Sequence, residues 1–282
     1  MIPARLTAAA LTFVLAGCAA AQSSDPAPAE KPQTPAAKVD PAKVDPADAI
    51  LKRLEQAGGK YSRLTAEVRF VDRDRLTGDQ EIRTGRIAYQ AGKGKESGKF
   101  AIEFDTYRNA PDAAPIADRV VYAFDGQWFS ILKYRPKQQM RFQVAQKDQV
   151  VNPLKIGKGP FPMPIGQKAA EVKKVFTVST EAPQLSRPQL DELENADYLC
   201  LTVKPEHVKS MDFVILELWV DRDSGLPVRM ISHKGTRPSR RAIKRYSAAE
   251  LQNVAQPEPF EPSRFLPPRQ RGWTFDVKPL GQ

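Results

Sequence analysis

The chain has 282 residues, 41% of them hydrophobic and 27% charged, which suits one large or two small domains with a proper core and makes the bulk of the chain soluble and globular. Its formal net charge is +10, or +9 once Arg5 leaves with an N-terminal signal (10 − 1), a balance that favours anionic surfaces. In an exported chain those surfaces are phospholipid head groups, lipopolysaccharide or acidic glycans, and nucleic acid is excluded as a partner. The one dense cluster is Arg237, Arg240, Arg241, Lys244 and Arg245, which reads either as a site for anionic head groups or as a solvated face that aids solubility.

The start of the chain departs from the rest. After Arg5, residues 6–15 are an apolar run too short to span a bilayer, and it ends in Leu15-Ala16-Gly17-Cys18. Residues 1–17 read as a secretory signal, and the four-residue ending resembles the bacterial lipobox. That resemblance implies acylation of Cys18, which becomes the mature N-terminus. The alternative is an ordinary signal peptide cleaved beyond Cys18. Ala19 is not acidic, which by resemblance to envelope lipoproteins favours the outer membrane over the inner. Two or three acyl chains, each methylene contributing about 0.8 kcal/mol, give stable anchoring. Residues 18–45 are rich in Pro, Ala, Lys and Ser, contain the repeat AKVDPAKVDP, and read as a disordered tether ahead of a single domain over 46–282. Cys200, in the strand pattern DYLCLTV, then has no partner for a disulfide and is expected to be a small buried hydrophobe.

Asp45 as N-cap and Pro46 as first helical residue open a helix with Ile50, Leu51, Leu54 and Ala57 on one stripe, and Gly58-Gly59 is expected to stop it. Alternating apolar residues then predict strands at 64–70, 82–90 and 100–106. In the second of these, Ile87 and Tyr89 are out of phase with Ile82, and a bulge at Gly85 would absorb the shift. Residues 119–144 form an antiparallel meander of three strands. It turns first at Asp125-Gly126, where a tight hairpin needs φ > 0, and again at Arg135-Pro136-Lys137. Val120, Tyr122 and Phe124 share one face, as do Trp128, Ser130, Leu132 and Tyr134, and then Met140, Phe142 and Val144. This bulky aromatic face either packs on a core or encloses a ligand.

Residues 152–166 carry four prolines and three glycines among Leu154, Ile156, Phe161, Met163 and Ile165. They read as a loop that closes the core, or as a flap in which Phe161, Met163 and Ile165 cover a hydrophobic cavity. A short helix through Ala169 and Val172 leads to a strand at 176–179, and further strands follow at 199–203, 213–220, 227–233 and around Ile243 and Tyr246. The Pro-rich tail from Val254 is expected to lie across the domain surface, with Phe260, Phe265 and Trp273 as isolated anchors.

No catalytic pattern stands out. His207 and His233 lack metal-ligand spacing, no Gly-rich phosphate loop or GxSxG elbow is present, and Asp72, Asp74 and Asp79 fail the EF-hand pattern at Leu76. Asp221-Arg222-Asp223 is turn chemistry, and Glu103 with Asp105 reads as an outward acidic face. The residues give no warrant for an enzyme, a metal or a cofactor.

Three stretches carry a family resemblance: AILKRLEQAGGKYSRLTAEVRF, DGQWFSILKYRPKQQMRFQV and LELWVDRDSGLPVRMI. Together they resemble the LolA/LolB-type envelope lipoprotein-carrier superfamily over most of 47–252. The resemblance implies a mainly β fold with a few helices: a curved antiparallel sheet forming an incomplete barrel, its concave side covered by an N-terminal helix and loops. It also implies reversible, non-enzymatic binding of acyl chains of lipoproteins or lipids. Val68, Phe70, Phe100, Ile102, Phe104, Tyr122, Phe124, Trp128, Leu132 and Phe142 would line the cavity, although a one-residue change of register would put the opposite set inside. The typical soluble carrier lacks a lipobox, so Cys18 implies an anchored, monomeric acceptor or lipid-binding lipoprotein facing the periplasm. The competing reading is a periplasmic protein-interaction or envelope-stress sensory module whose concavity is filled by its own side chains.

Overall fold

A computed structural model describes residues 45–94, 96–147, 149–151, 165–183, 185 and 192–280. The signal, Cys18 and the tether lie outside the described residues, as do Phe161 and Met163. From Lys43 to Gln282 the chain is one compact unit. Helix α1 (Pro46–Lys60) is followed by β1 (Arg63–Asp74), β2 (Gln80–Gln90), β3 (Lys99–Arg108), β4 (Ile116–Phe124), β5 (Trp128–Lys133) and β6 (Gln138–Gln143). Helix α2 (Ala169–Val175) leads into β7 (Phe176–Ser179), β8 (Ala196–Val203), β9 (Ile215–Asp221), β10 (Pro227–Gly235), β11 (Ile243–Ala255) and the tail strand β12 (Thr274–Lys278).

All twelve strands form one sheet in the order β12-β6-β5-β4-β3-β2-β1-β11-β10-β9-β8-β7. Two meanders, β1 to β6 and β7 to β11, are joined where β11 pairs with β1, and every pairing is antiparallel except β12 on β6. The outermost strands β12 and β7 do not pair, so the sheet stays open. Side chains from β1–β4 and β7–β11 are buried in one cluster with Ala47, Ile50, Leu51, Leu54 and Ala57 of α1. A helix is about 10–12 Å across and strands lie about 4.8 Å apart, so α1 could cover only two or three strands of a flat sheet. The sheet therefore curls around the helix, as a half-barrel.

Asp45 caps α1 as its sequence predicts, its carboxylate accepting the Ala47 amide at 3.0 Å. Gly58-Gly59, in contrast, does not end the helix, which runs on to Lys60. Gly58 is there for close approach: a Cβ built on it would lie 2.2 Å from the Gly166 Cα, and the Gly166 amide donates to the Leu54 carbonyl at 3.0 Å. Gly85 is corrected in the same way. Strand β2 needs no phase change, because Ile82 is buried on the convex side of the sheet and Ile87 and Tyr89 on the concave side. The register slips instead on β3, where Thr84 faces Thr106 and Gly85 faces Phe104, and a Cβ at Gly85 would meet the Glu103 carbonyl at 1.9 Å.

The tail crosses the convex side as expected. Phe265 is buried there against Ala88, Ala101, Val121, Ala123 and Leu132, with Phe260 and Trp273 packed beside it. Buried Gln139 and neighbouring Arg141 hold the tail's backbone, Arg141 donating to the Pro267 carbonyl at 2.9 Å and the Gln139 side chain accepting the Gln270 amide at 3.1 Å. Cys200 is a buried thiol that forms no disulfide among the described residues.

The far end of α1 is clamped to the β9–β10 hairpin. A Cβ at Gly225, whose φ is +71°, would sit 3.1 Å from the Arg53 carbonyl. Arg53 and Arg222 both bind Asp197, the latter at 2.8 Å. The Arg53 hydrogen bond, aided by Arg222 and opposed by partial burial, holds the Asp197 carboxyl below its ordinary range. A depressed folded pKa means the contribution is fully present above the unfolded value, about 3.9, and is lost as pH falls through the lower folded one. The stability gap between the native chain and Asp197→Asn should thus be constant from neutral pH to about pH 4 and close below it. A gap that closes between pH 5 and 7 in an acid titration followed by circular dichroism would contradict the clamp.

Candidate functional site

The concave face carries a continuous run of aromatic rings. Phe70 lies 5.9 Å from Phe104, Phe104 6.3 Å from Tyr122, and Tyr122 6.3 Å from Phe129 between centroids. Phe129 then lies 6.1 Å from Phe100, and Phe100 6.1 Å from Phe124. Strand register explains the run, since directly opposed residues share a face: Phe100 pairs with Phe124, Phe124 with Phe129 and Phe129 with Phe142. Val68 and Ile102 join the same floor. Phe100, Ile102, Phe104 and Phe124 are fully buried beneath α1 and its neighbours. Phe70, Tyr122, Phe129 and Phe142 are only partly buried.

Eight of the ten residues expected in the cavity thus share this face. Trp128 and Leu132 do not. Leu132 is buried on the convex side under Phe265, and Trp128, four residues earlier on the same strand, points the same way. Phe129 takes their place. The reason is turn length. Asp125 donates its amide to the Trp128 carbonyl at 3.2 Å, leaving Gly126 and Gln127 as a two-residue connection, with Gly126 at φ +110°. A two-residue loop pairs each even-numbered residue of β4 with an odd-numbered one of β5, so Phe124 and Tyr122 face Phe129 and Ile131.

One end of the floor is polar. Arg83 stands opposite Phe70 on β2 and is bound by Glu81 and by Asp118, the latter at 3.0 Å, with its guanidinium 5.1 Å over the Tyr107 ring. Burial works against the Arg83 charge, but the hydrogen bonds and charges of Glu81 and Asp118 outweigh it and hold the guanidinium protonated. Burial also pushes the Tyr122 hydroxyl above the ordinary tyrosine range, against the opposing pull of Arg83. Neither Arg83 nor Asp118 stood out in the sequence, because a lone Arg in a strand pattern looks like an outward residue.

At the other end of α1 lies a cavity of about 300 Å³ lined by Glu55, Gly58, Gly59, Tyr89 and Gly166, and flanked by Val151 and Ile165. Ile165, expected in a flap, is buried in the core cluster. Among the described residues no group of three or more His, Cys, Asp or Glu side chains could hold a metal ion.

The chain thus folds as an open antiparallel sheet wrapped on an N-terminal helix, with an aromatic concave floor. Several solved structures share this likeness at low identity. An uncharacterized conserved protein from Thermus thermophilus overlaps at a TM-score of 0.43 with 11% identity, over 82% of this chain and 99% of that one. A LolA superfamily protein from Nitrosomonas europaea overlaps at 0.32 with 12% identity, over 78% and 96%. MucB in the Pseudomonas aeruginosa MucA/MucB complex overlaps at 0.36 with 14% identity, over 77% of this chain and 60% of that one. No family model and no curated protein matches the sequence. At these TM-scores function has to be argued from the chain's own residues.

Proposed function

We propose that this is an exported, membrane-anchored lipoprotein, acylated at Cys18, whose half-barrel binds a hydrophobic acyl ligand without catalysis. The observation that supports it is the partly buried trio Phe70, Tyr122 and Phe129, contiguous with fully buried rings on the concave side. Large aromatic rings left partly open in a concavity gain by taking up apolar surface, at about 25 cal/mol per Å². The polar end at Arg83 and Asp118 would face the ligand's head.

The test is native mass spectrometry of residues 43–282, exported to a bacterial periplasm and purified without detergent. Tyr122→Asp and Phe129→Asp are the informative variants, since their partly buried sites tolerate a charge better than Phe104 would. Adducts of lipid mass are expected on the native chain. In folded variants they should be lost, or added fatty acid held at least tenfold more weakly, given about 1.5–3 kcal/mol for a buried large apolar side chain. A clean apo mass with no uptake of added fatty acid or lipopeptide would overturn the ligand reading and move the function to protein contact on a filled core.

A further inference from the structure

Two connections meet at one end of the sheet. The turn after β1 is fixed by Asp74, whose carboxylate accepts the Leu76 and Thr77 amides at 2.7 and 3.2 Å. Those bonds, the first the stronger, hold the Asp74 carboxyl below its ordinary range. Arg75 ties this turn to the β10–β11 connection: its guanidinium donates to the Arg240 and Ile243 carbonyls at 3.2 Å, and its amide to the Lys244 carbonyl at 2.8 Å. The joined surface exposes Arg73, Arg237, Arg240, Arg241 and Lys244. Of the carboxylates in and beside these two connections, Asp72 is paired to Arg245, Asp74 is held by the turn and Glu81 is paired to Arg83, which leaves Asp79. Leu76 stands 77% exposed at the tip of this basic surface.

The N-terminus of the domain enters at the same end. Asp48, in the first turn of α1, pairs with Lys173 of α2. The Lys173 carbonyl accepts Lys204 Nζ at 2.8 Å, and the Lys204 amide donates to the Val175 carbonyl at 3.0 Å. Lys204 opens the β8–β9 connection, which antiparallel pairing places at the same end of the sheet as the β10–β11 connection. The chain that carries Cys18 therefore joins the domain beside the basic surface. The opposite end carries both signs at its connections, Asp125 and Asp223 with Lys93 and Arg222.

We propose that this end docks on a bilayer surface of anionic phospholipid, its arginines on the phosphates and Leu76 entering the interface. A cationic surface with a projecting apolar residue matches what an anionic interface offers: charge attraction within a Debye length and an apolar layer just beneath. The inference deepens the anchored-lipoprotein reading by fixing which end faces the membrane, and it rests on that reading for bringing the domain to a bilayer.

The experiment uses the full chain with Leu76→Cys carrying an environment-sensitive fluorophore; Cys200 is buried, Cys18 is blocked where it is acylated, and the same chain with Leu76 intact is the labelling control. The protein is mixed with vesicles of phosphatidylcholine alone or with added phosphatidylglycerol. A blue shift is expected on the anionic vesicles only, reversed by raised salt. Arg237→Ser, Arg240→Ser and Arg241→Ser together should lower the docked-to-free ratio roughly a hundredfold and abolish the shift. An equal shift on phosphatidylcholine, no shift on either, or an equal shift with soluble heparin would each overturn the proposal. Sedimentation with phosphatidylcholine vesicles reads the acyl anchor separately, so a missing anchor and a missing docking surface give different results.

Discussion

Gly58→Ala is expected to destabilise the protein by about 3 kcal/mol, at the upper end of the range for overpacking. Gly59→Ala, one residue on, is expected to stabilise it by about 0.5–1 kcal/mol. Both glycines are helical, so intrinsic propensity favours alanine at both. They differ in what the new methyl would meet. At Gly59 there is nothing within 4 Å; at Gly58 the Cβ would lie 2.2 Å from the Gly166 Cα and 2.8 Å from its nitrogen. Those are backbone atoms, and Gly166 has little freedom to retreat: its φ is +72°, and its amide is bound to the Leu54 carbonyl. The helix and the chain at 165–166 must separate, and Ile165 leaves the core with them. Urea midpoints of the two variants decide the matter. Two changes of the same sign would mean that the glycine contact does not hold the helix to the sheet. The consequence extends to the proposed function, because Ile165 belongs to the buried cluster that carries the aromatic floor. Fatty-acid uptake should weaken in Gly58→Ala and be unaltered in Gly59→Ala.

That glycine pair shows how the sequence is legible and where it stops. Gly-Gly after an amphipathic stripe carries the ordinary signature of a helix end, and only the tertiary partner, more than a hundred residues away, reveals close approach instead. At Gly85 the expected irregularity is present, but the extra residue lies on β3, and the close neighbour is the Glu103 carbonyl on that strand. Alternation did place β1 to β4, the N-cap at Asp45 and the anchors Phe265 and Trp273, because period-two burial and capping are local properties. The misplacement of Trp128 and Leu132 was avoidable. A tight two-residue hairpin fixes parity, and parity assigns Phe129, not Trp128, to the face of Phe124. The polar end of the floor was not accessible in this way. Arg83 lies on the concave side because Phe70 faces it, and it is tolerated there because Asp118, from another hairpin, neutralises it.

His233→Ala is expected to cost about 2–5 kcal/mol, although the residue is far from the proposed ligand floor. Its ring nitrogen Nε2 lies 2.6 Å from the Glu217 carboxylate, whose other oxygen accepts the Tyr198 hydroxyl at 2.7 Å. Glu217 is 0% and His233 1% exposed, on the convex side of β9 and β10. Removing the imidazole takes one hydrogen-bond partner from the Glu217 carboxylate where water does not reach, and this adds to the lost packing of the ring. Tyr198→Phe removes one hydrogen bond to the same carboxylate and should cost about 1.5–3 kcal/mol. The discriminating variant is the double change Glu217→Leu with His233→Leu. If the penalty comes from the broken polar contact, the double variant recovers most of the stability lost in His233→Ala, because both partners of the His233–Glu217 contact are then apolar. If His233 instead acts mainly as a spacer between Tyr246, 6.4 Å from its ring, and the rest of the outer cluster, the double variant is no better than the single one. Urea unfolding of the three variants separates these outcomes. Recovery in the double variant would mean that this polar pair sets the alignment of β9 against β10, and so the position of Gly225 and the clamp on α1, at no net gain in stability over an apolar core.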